Sequence, residues 1–92
     1  MADVATAEFP IINALGLHAR AAAQLVKVAN QHPCSVAVEC DGQSVNGKSI
    51  MGVLMLAAAR GMTVKVTCEG ADAAACLKAI GELIANKFGE EQ

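Results

Sequence analysis

His18 and Arg20 are the residues whose types and spacing most directly suggest chemistry. They lie in the run Gly-Leu-His-Ala-Arg at positions 16–20, where an apolar, strand-like segment gives way to an Ala- and Leu-rich segment. The first turn of a helix has unpaired backbone N–H groups and the positive end of the helix dipole, so it stabilises an anion. A phosphoryl group on the His18 ring would meet the N–H groups of Ala19 and Arg20, and the guanidinium could add charge-assisted hydrogen bonds.

A purely structural role for the same two residues is the alternative. Histidine is a weaker N-cap than Ser, Asp or Asn, and an arginine in the first turn opposes the helix dipole. Both residues therefore cost stability unless an anion is sometimes bound. Local physical chemistry alone does not decide between an anion site and a histidine that only caps or packs.

Ser49 is the second residue of interest. Asn46-Gly47-Lys48 interrupts the chain, and Ser49 then stands directly before an apolar segment that begins at Ile50. Serine is a preferred N-cap, so capping alone explains its presence. A phosphate on this hydroxyl would also be stabilised by the helix dipole, so it would leave the fold intact and act on docking instead.

A surface for a protein partner is predicted beside these residues. The short segment after Ser49 is more apolar than one buried helix face requires, and methionine adapts to several surfaces. Positions 18–33 and 42–68 contain no Asp or Glu but include Arg20, Lys27, Lys48, Arg60 and Lys65, which suits an acidic partner. Some residues of this segment belong to the core, and Ile50 and Met51 are the candidates for an exposed patch.

Several other classes of function are disfavoured by the composition. The net charge is −2, and the chain has no Trp or Tyr on which bases could stack, so we expect no nucleic-acid binding. Cys34, Cys40, Cys68 and Cys76 form no C-x-x-C pair and have no zinc-type spacing, so we expect reduced, buried thiols and no metal site. No Ser-His-Asp set, paired carboxylates or Gly-rich nucleotide loop is visible, and no cofactor is expected.

Seven elements are predicted to position these residues. The patterning indicates strands at 4–12, 36–40, 43–45 and 63–68 and helices at 18–31, 50–58 and 72–89. Gly61 is expected to close the second helix, and residues 90–92 to form a frayed tail. The order βαββαβα, with one polar and one apolar face on each strand, predicts an α+β open-faced sandwich. In this fold a four-stranded antiparallel sheet is covered on one side by three helices.

Length and hydropathy set the remaining expectations. Ninety-two residues suffice for one apolar core, so residues 1–92 are predicted to form a single domain. No run of eighteen apolar residues occurs, and the first nine positions include Asp3 and Glu8 in place of a basic segment leading into an apolar one. We therefore expect neither a membrane span nor a secretory signal, and a monomer in the cytoplasm.

Three separated motifs resemble the HPr family. They are Gly16 to Arg20, Val45-Asn46-Gly47-Lys48-Ser49-Ile50-Met51-Gly52, and the closing segment from Leu83-Ile84 to Phe88-Gly89-Glu90. The resemblance covers nearly the whole chain and implies the open-faced sandwich fold. It also implies that His18 is phosphorylated on Nδ1, that Arg20 assists and that Ser49 is a regulatory phosphorylation site. Because the family docks partners on the second helix, the predicted docking residues are Ala23, Gln24, Lys27, Lys48, Ile50, Met51 and Met55. One position departs from the family's usual pattern: Ala21 replaces a proline, which should loosen the start of the helix slightly.

The resemblance further implies a phosphocarrier of the bacterial sugar phosphotransferase system. Such a protein is a substrate and donor, not an enzyme: it takes a phosphoryl group from enzyme I, which is charged by phosphoenolpyruvate, and gives it to enzyme IIA domains. HPr kinase/phosphorylase would modify Ser49. The alternative is a nitrogen-branch or purely regulatory HPr-like module that acts through protein contacts, and the intact segment from Asn46 to Gly52 favours the carbon branch. A Cys/His metal protein is the least favoured hypothesis, because the ligand spacing is wrong.

Overall fold

The structure of the protein is a computed structural model that describes residues 3–92. Four strands and three helices alternate along the chain in the order βαββαβα, followed by one 3₁₀ turn. Their bounds are β1 Val4–Pro10, α1 Ala19–Asn30, β2 Ser35–Cys40, β3 Gln43–Asn46, α2 Ile50–Met55, β4 Thr63–Glu69, α3 Ala73–Ala85 and the 3₁₀ turn Lys87–Gly89.

The strands form one antiparallel sheet in the order β1-β4-β2-β3. Inward positions on the two central strands are buried, and their neighbours are half-buried or exposed; the buried residues are Val36, Val38, Cys40, Val64, Val66 and Cys68. On the outer face, the Thr6 and Thr67 hydroxyls lie 3.1 Å apart and share a hydrogen bond. The one-sided burial predicted from the alternating sequence is confirmed, and so is the open-faced α+β sandwich.

The helices cover the apolar face with small side chains. In α1 the residues at helical spacing that were predicted to face inward, Ala22, Leu25, Val26 and Ala29, are buried. Helix α3 approaches β1 closely, since a Cβ placed on Gly81 would lie 2.7 Å from the ring of Phe9. The buried residues form one continuous cluster that fills the space between the sheet and the helices.

Three predicted boundaries are wrong. Helix α2 ends at Met55 instead of about Ala58, and Gly61 does not close it. Ala57, two residues past the helix, has a left-handed φ of 50° and turns the chain away. The first strand ends at Pro10 instead of Ile12. Beyond it, the backbone of Ile11 still makes hydrogen bonds with residues 61 and 62.

The third error concerns the last helix, which ends at Ala85 and not at Gly89. The chain reverses through left-handed Lys87 and Phe88, with φ values of 56° and 55°. Phe88 is nevertheless buried, so its apolar character marks a core contact made from a turn and not from the helical stripe. Among residues 3–92, no helix has the length and hydropathy needed to cross a membrane.

Candidate functional site

His18 stands at the N-terminus of α1 as its N-cap. Its backbone is extended, with φ −72° and ψ 177°, and the first intrahelical hydrogen bond runs from the N–H of Ala22 to the His18 carbonyl. The N–H groups of Ala19, Arg20 and Ala21 therefore precede the helical ladder. The sequence-based placement of an imidazole beside the first-turn N–H groups is consistent with this geometry, and the His18 side chain is 27% exposed to solvent.

The two ring nitrogens of His18 face different partners. Nδ1 accepts a hydrogen bond from the backbone N–H of Arg20 at 3.3 Å, so it presents a lone pair. Nε2 contacts a carboxylate oxygen of Glu90 in a short hydrogen bond. A carboxylate can only accept, so Nε2 holds the ring proton. This tautomer leaves Nδ1 as the nucleophilic nitrogen.

Glu90 is thus a part of the site that sequence reasoning missed. Residues 90–92 were predicted to be a frayed tail, and this prediction is wrong for the described chain. The second Glu90 oxygen accepts from the amide of Asn13 at 3.0 Å, and the carbonyl of Gln92 accepts from the N–H of Ala14 at 2.9 Å. The signal present in the sequence was the family-like segment that closes at Glu90.

These contacts favour the charged form of the Glu90 carboxyl. Hydrogen bonds from Asn13 and then His18 lower the pKa of Glu90 below its ordinary value of 4.5, and the nearby charge of Arg20 acts in the same direction. The carboxylate side chain is 13% exposed. It is therefore held as an acceptor for Nε2–H near neutral pH.

The loop before His18 is fixed by close backbone contacts. The buried Asn13 amide donates to the Gly16 carbonyl at 2.9 Å, and the Leu17 N–H donates to the Ala58 carbonyl at 2.9 Å. Gly16 has a φ of +66°, and a Cβ there would lie 2.5 Å from the Ala58 oxygen. Only glycine fits this position, so the loop delivers His18 to the helix start in one orientation.

Ser49 caps α2 as predicted. Its backbone is extended, and its hydroxyl oxygen accepts from the N–H of Gly52 at 3.1 Å. The side chain is half-buried at the edge of the α2 surface, next to exposed Ile50.

The predicted docking residues separate into exposed and tethered groups. Ile50, Met51 and Met55 are 45%, 71% and 65% exposed, so their apolar side chains face solvent. On α1, Ala23 and Lys27 are exposed and Gln24 is half-buried. The ammonium of Lys48, in contrast, is half-buried and donates to the His32 carbonyl at 2.7 Å.

One apolar residue of this surface was missing from the predicted set. Leu15, in the loop that leads to His18, is 70% exposed. The sequence could have indicated it, because Leu15 is a large apolar residue inside a turn, where burial does not explain its presence. Arg20 is also exposed, so its guanidinium is accessible to a partner beside His18.

Comparison with known proteins agrees with the geometry at His18. The sequence model described as "PTS HPr component phosphorylation site" matches residues 5–86. The phosphocarrier protein HPr of Pseudomonas aeruginosa is 51% identical over 84 residues, which cover 90% of this chain and 93% of that protein.

Two further similarities extend this result. The crystal structure of HPr-C-His from Thermoanaerobacter tengcongensis has a TM-score of 0.92 and 42% identity, covering 96% of this chain and 99% of that one. A multiphosphoryl transfer protein of Escherichia coli O157:H7 is 41% identical over 91 residues, which are 96% of this chain but 24% of that protein. With the matched phosphorylation-site model, these relatives show that the chain belongs to the HPr family of phosphotransferase-system phosphocarriers.

Proposed function

We propose that Nδ1 of His18 accepts a phosphoryl group from enzyme I, which is charged by phosphoenolpyruvate, and passes it to enzyme IIA domains during sugar uptake. The observation on which this proposal rests is the pair of hydrogen bonds that leaves a lone pair on Nδ1 and a proton on Nε2. The protein is a carrier in this scheme, and the partner enzymes bring the rest of the chemistry. It would work as a monomer in the cytoplasm, where phosphoenolpyruvate is available.

The transfer exchanges one nitrogen–phosphorus bond for another. The Nδ1 lone pair attacks phosphorus, the N–P bond of the donor phosphohistidine breaks, and its electron pair stays on the donor nitrogen. The proton on Nε2 remains there, and the Glu90 carboxylate stabilises the positive charge that the ring gains. The reverse steps deliver the phosphoryl group to the acceptor, since both ends of the exchange are nitrogen–phosphorus bonds of similar type.

Phosphoryl transfer depends mostly on positioning and on stabilising charge. The Arg20 N–H bonds Nδ1 in the free protein, and together with the N–H of Ala19 it would donate to a phosphoryl oxygen once Nδ1 is occupied. The exposed Arg20 guanidinium would meet the equatorial oxygens. Exposed apolar side chains at positions 50, 51 and 55 on neighbouring α2 would contact the partner.

Serine regulation is the second part of the proposal. HPr kinase/phosphorylase would modify Ser49, and the new charge would lie at the N-terminus of α2, beside Ile50 and Met51. The cap position supports this, because a phosphate there remains compatible with the helix. Similarity to the phosphocarrier protein HPr of Pseudomonas aeruginosa and to the multiphosphoryl transfer protein of Escherichia coli O157:H7 supports the carrier function itself.

Incubation of the protein with phosphoenolpyruvate and enzyme I tests the carrier function. We expect a phosphate that is labile in acid and stable in base, located on His18, and its transfer to an enzyme IIA domain. His18→Ala should abolish it with only a small loss of stability, because histidine is a weaker N-cap than Ser, Asp or Asn. Phosphorylation that persists in His18→Ala would refute the site, and a wild-type protein that accepts no phosphate would leave the regulatory module as the function.

A further inference from the structure

Three cysteines that are distant in the sequence meet in the core. Cys34 precedes β2, Cys68 lies on β4 and Cys76 lies on α3, and their sulfur atoms are all within 4.8 Å of one another. Each residue is at most 1% exposed. Sequence spacing gave no sign of this cluster, because each residue belongs to a different element.

The sulfur geometry suits a three-coordinate centre. An atom placed between three sulfurs this close together would lie no more than about 2.8 Å from each, against thiolate–metal bonds of about 2.3 Å, so small side-chain rotations would close the gap. Thiolate sulfur is a soft ligand and selects thiophilic elements.

Charge balance further restricts which element could bind between the three sulfurs. All three side chains are buried away from water, so an occupied site that has no net charge is favoured. Zinc with three thiolates would have a net charge of −1, and copper(I) a charge of −2. The positive charge of Lys48 acts on Cys68, but its ammonium is already hydrogen-bonded to the His32 carbonyl.

We propose that Cys34, Cys68 and Cys76 form a binding site for trivalent arsenic, taken up as uncharged arsenous acid. Three As–O bonds break and three As–S bonds form, while each hydroxyl leaves as water with one thiol proton. The product is an uncharged trithiolate, and no oxidant or reductant is needed. It therefore buries no charge, which is the condition that this part of the core imposes.

The site is separate from His18. It lies past the C-terminal end of α1, and the twelve residues of that helix span about 18 Å. Because all three side chains are at most 1% exposed, entry requires a local opening of the fold. Binding is therefore expected to be slow, and the loaded protein to melt at a higher temperature than the free one.

The test uses the full chain, sodium arsenite and a phosphine reductant that offers no competing thiol. Native mass spectrometry should find one arsenic per chain with the loss of three protons, and X-ray absorption at the arsenic edge should find three sulfur neighbours and no oxygen. Cys34→Ala and Cys76→Ala should bind about tenfold or more weakly. Cys40→Ala is the matched control: it also truncates a buried cysteine, 3% exposed, but one outside the cluster, and it should bind like the wild type.

Three results would overturn the proposal. They are an absence of binding by the wild type, a bound arsenic that keeps oxygen ligands, and equal loss of binding in Cys40→Ala and Cys34→Ala. Zinc that binds more tightly than arsenite would contradict the charge argument. Because the absorption spectrum is measured on the wild type, the proposal remains testable even if a variant does not fold.

Discussion

At the scale of single residues, the ring of His18 is already oriented in the free protein, as the proposed transfer would require. One hydrogen bond sets the direction of Nδ1, and the contact with Glu90 sets the ring proton. A ring free to rotate and to exchange tautomers would have to be ordered within each encounter with a donor. Because the ring is already ordered in the free protein, this entropic cost does not arise in the encounter. Such preorganisation is the main contribution that the protein can make to a transfer reaction.

The Glu90 carboxylate gives this arrangement a predictable pH dependence. Its pKa is lowered in the folded protein, so it contributes stability above the ordinary value of 4.5, and that contribution is lost as the pH falls through the lowered value. Glu90→Gln, which cannot ionise, should therefore be less stable than the wild type at neutral pH and approach it in acid. Urea unfolding of both proteins from pH 7 to pH 3 measures this difference. A stability gap that does not shrink in acid would show that the carboxylate charge is not what stabilises the contact.

Arg20 is expected to act on the rate within the complex more than on its formation. Its guanidinium is exposed beside His18, where the charge of the moving phosphoryl group is concentrated. Arg20→Ala should slow single-turnover transfer from phosphorylated enzyme I at saturating concentration by about tenfold or more, while the Kd changes less. Arg20→Lys keeps the charge without the planar fork and should fall in between. If the Kd collapses while the saturating rate holds, Arg20 is only a docking residue.

At the scale of elements, the loop from Asn13 to His18 determines where the ring lies. Gly16→Ala should lower the melting temperature and reduce phosphoryl acceptance, because a side chain at a φ of +66° costs about 1–3 kcal/mol and its Cβ would also contact the Ala58 carbonyl. Gly42→Ala is the control, since Gly42 has a φ of +83° but nothing lies within 4 Å of an added Cβ. Differential scanning calorimetry should show the larger loss for Gly16→Ala. Equal losses would mean that backbone strain alone, and not the contact with Ala58, fixes the loop.

The elements themselves could be predicted from the sequence because each buries one face. Alternation identified β4, and residues at helical spacing identified α1, since both patterns follow from contact with a single core. The contacts that complete the site could not be predicted in this way. Glu90 reaches His18 only because the chain reverses at Lys87 and Phe88, and no local pattern specifies a contact across 72 positions. The cysteine cluster was missed for the same reason.

At the scale of the whole molecule, charge is distributed differently from what the acid-free segments suggested. Lys65 lies on the uncovered face of the sheet, where the strand register puts it opposite Glu8 and Glu39. It therefore does not belong to the surface around His18. Lys48 is tethered to a backbone carbonyl. The other three of the five cations in those segments, Arg20 and Lys27 on α1 and Arg60 after α2, are exposed, which leaves a smaller positive region than the sequence indicated.

Because few cations are exposed around His18, we expect docking to be sensitive to one added negative charge at Ser49. Aspartate is as good an N-cap as serine, so Ser49→Asp should keep the hydrogen bond to Gly52 and melt at or slightly above the wild-type temperature. Its carboxylate should nevertheless repel an acidic partner surface beside Ile50 and slow association with enzyme I. The loss should shrink with salt, because the Debye length falls from about 10 Å at 0.1 M to about 3 Å at 1 M.

Ser49→Ala, which loses the cap without adding charge, should show the reverse: a stability lower by about 1 kcal/mol and an unchanged association rate. The measurement is enzyme I-dependent phosphorylation of His18 in all three proteins across that salt range. An unchanged rate for Ser49→Asp at low salt would place Ser49 outside the docking surface, and a large drop in its melting temperature would leave it only a structural cap.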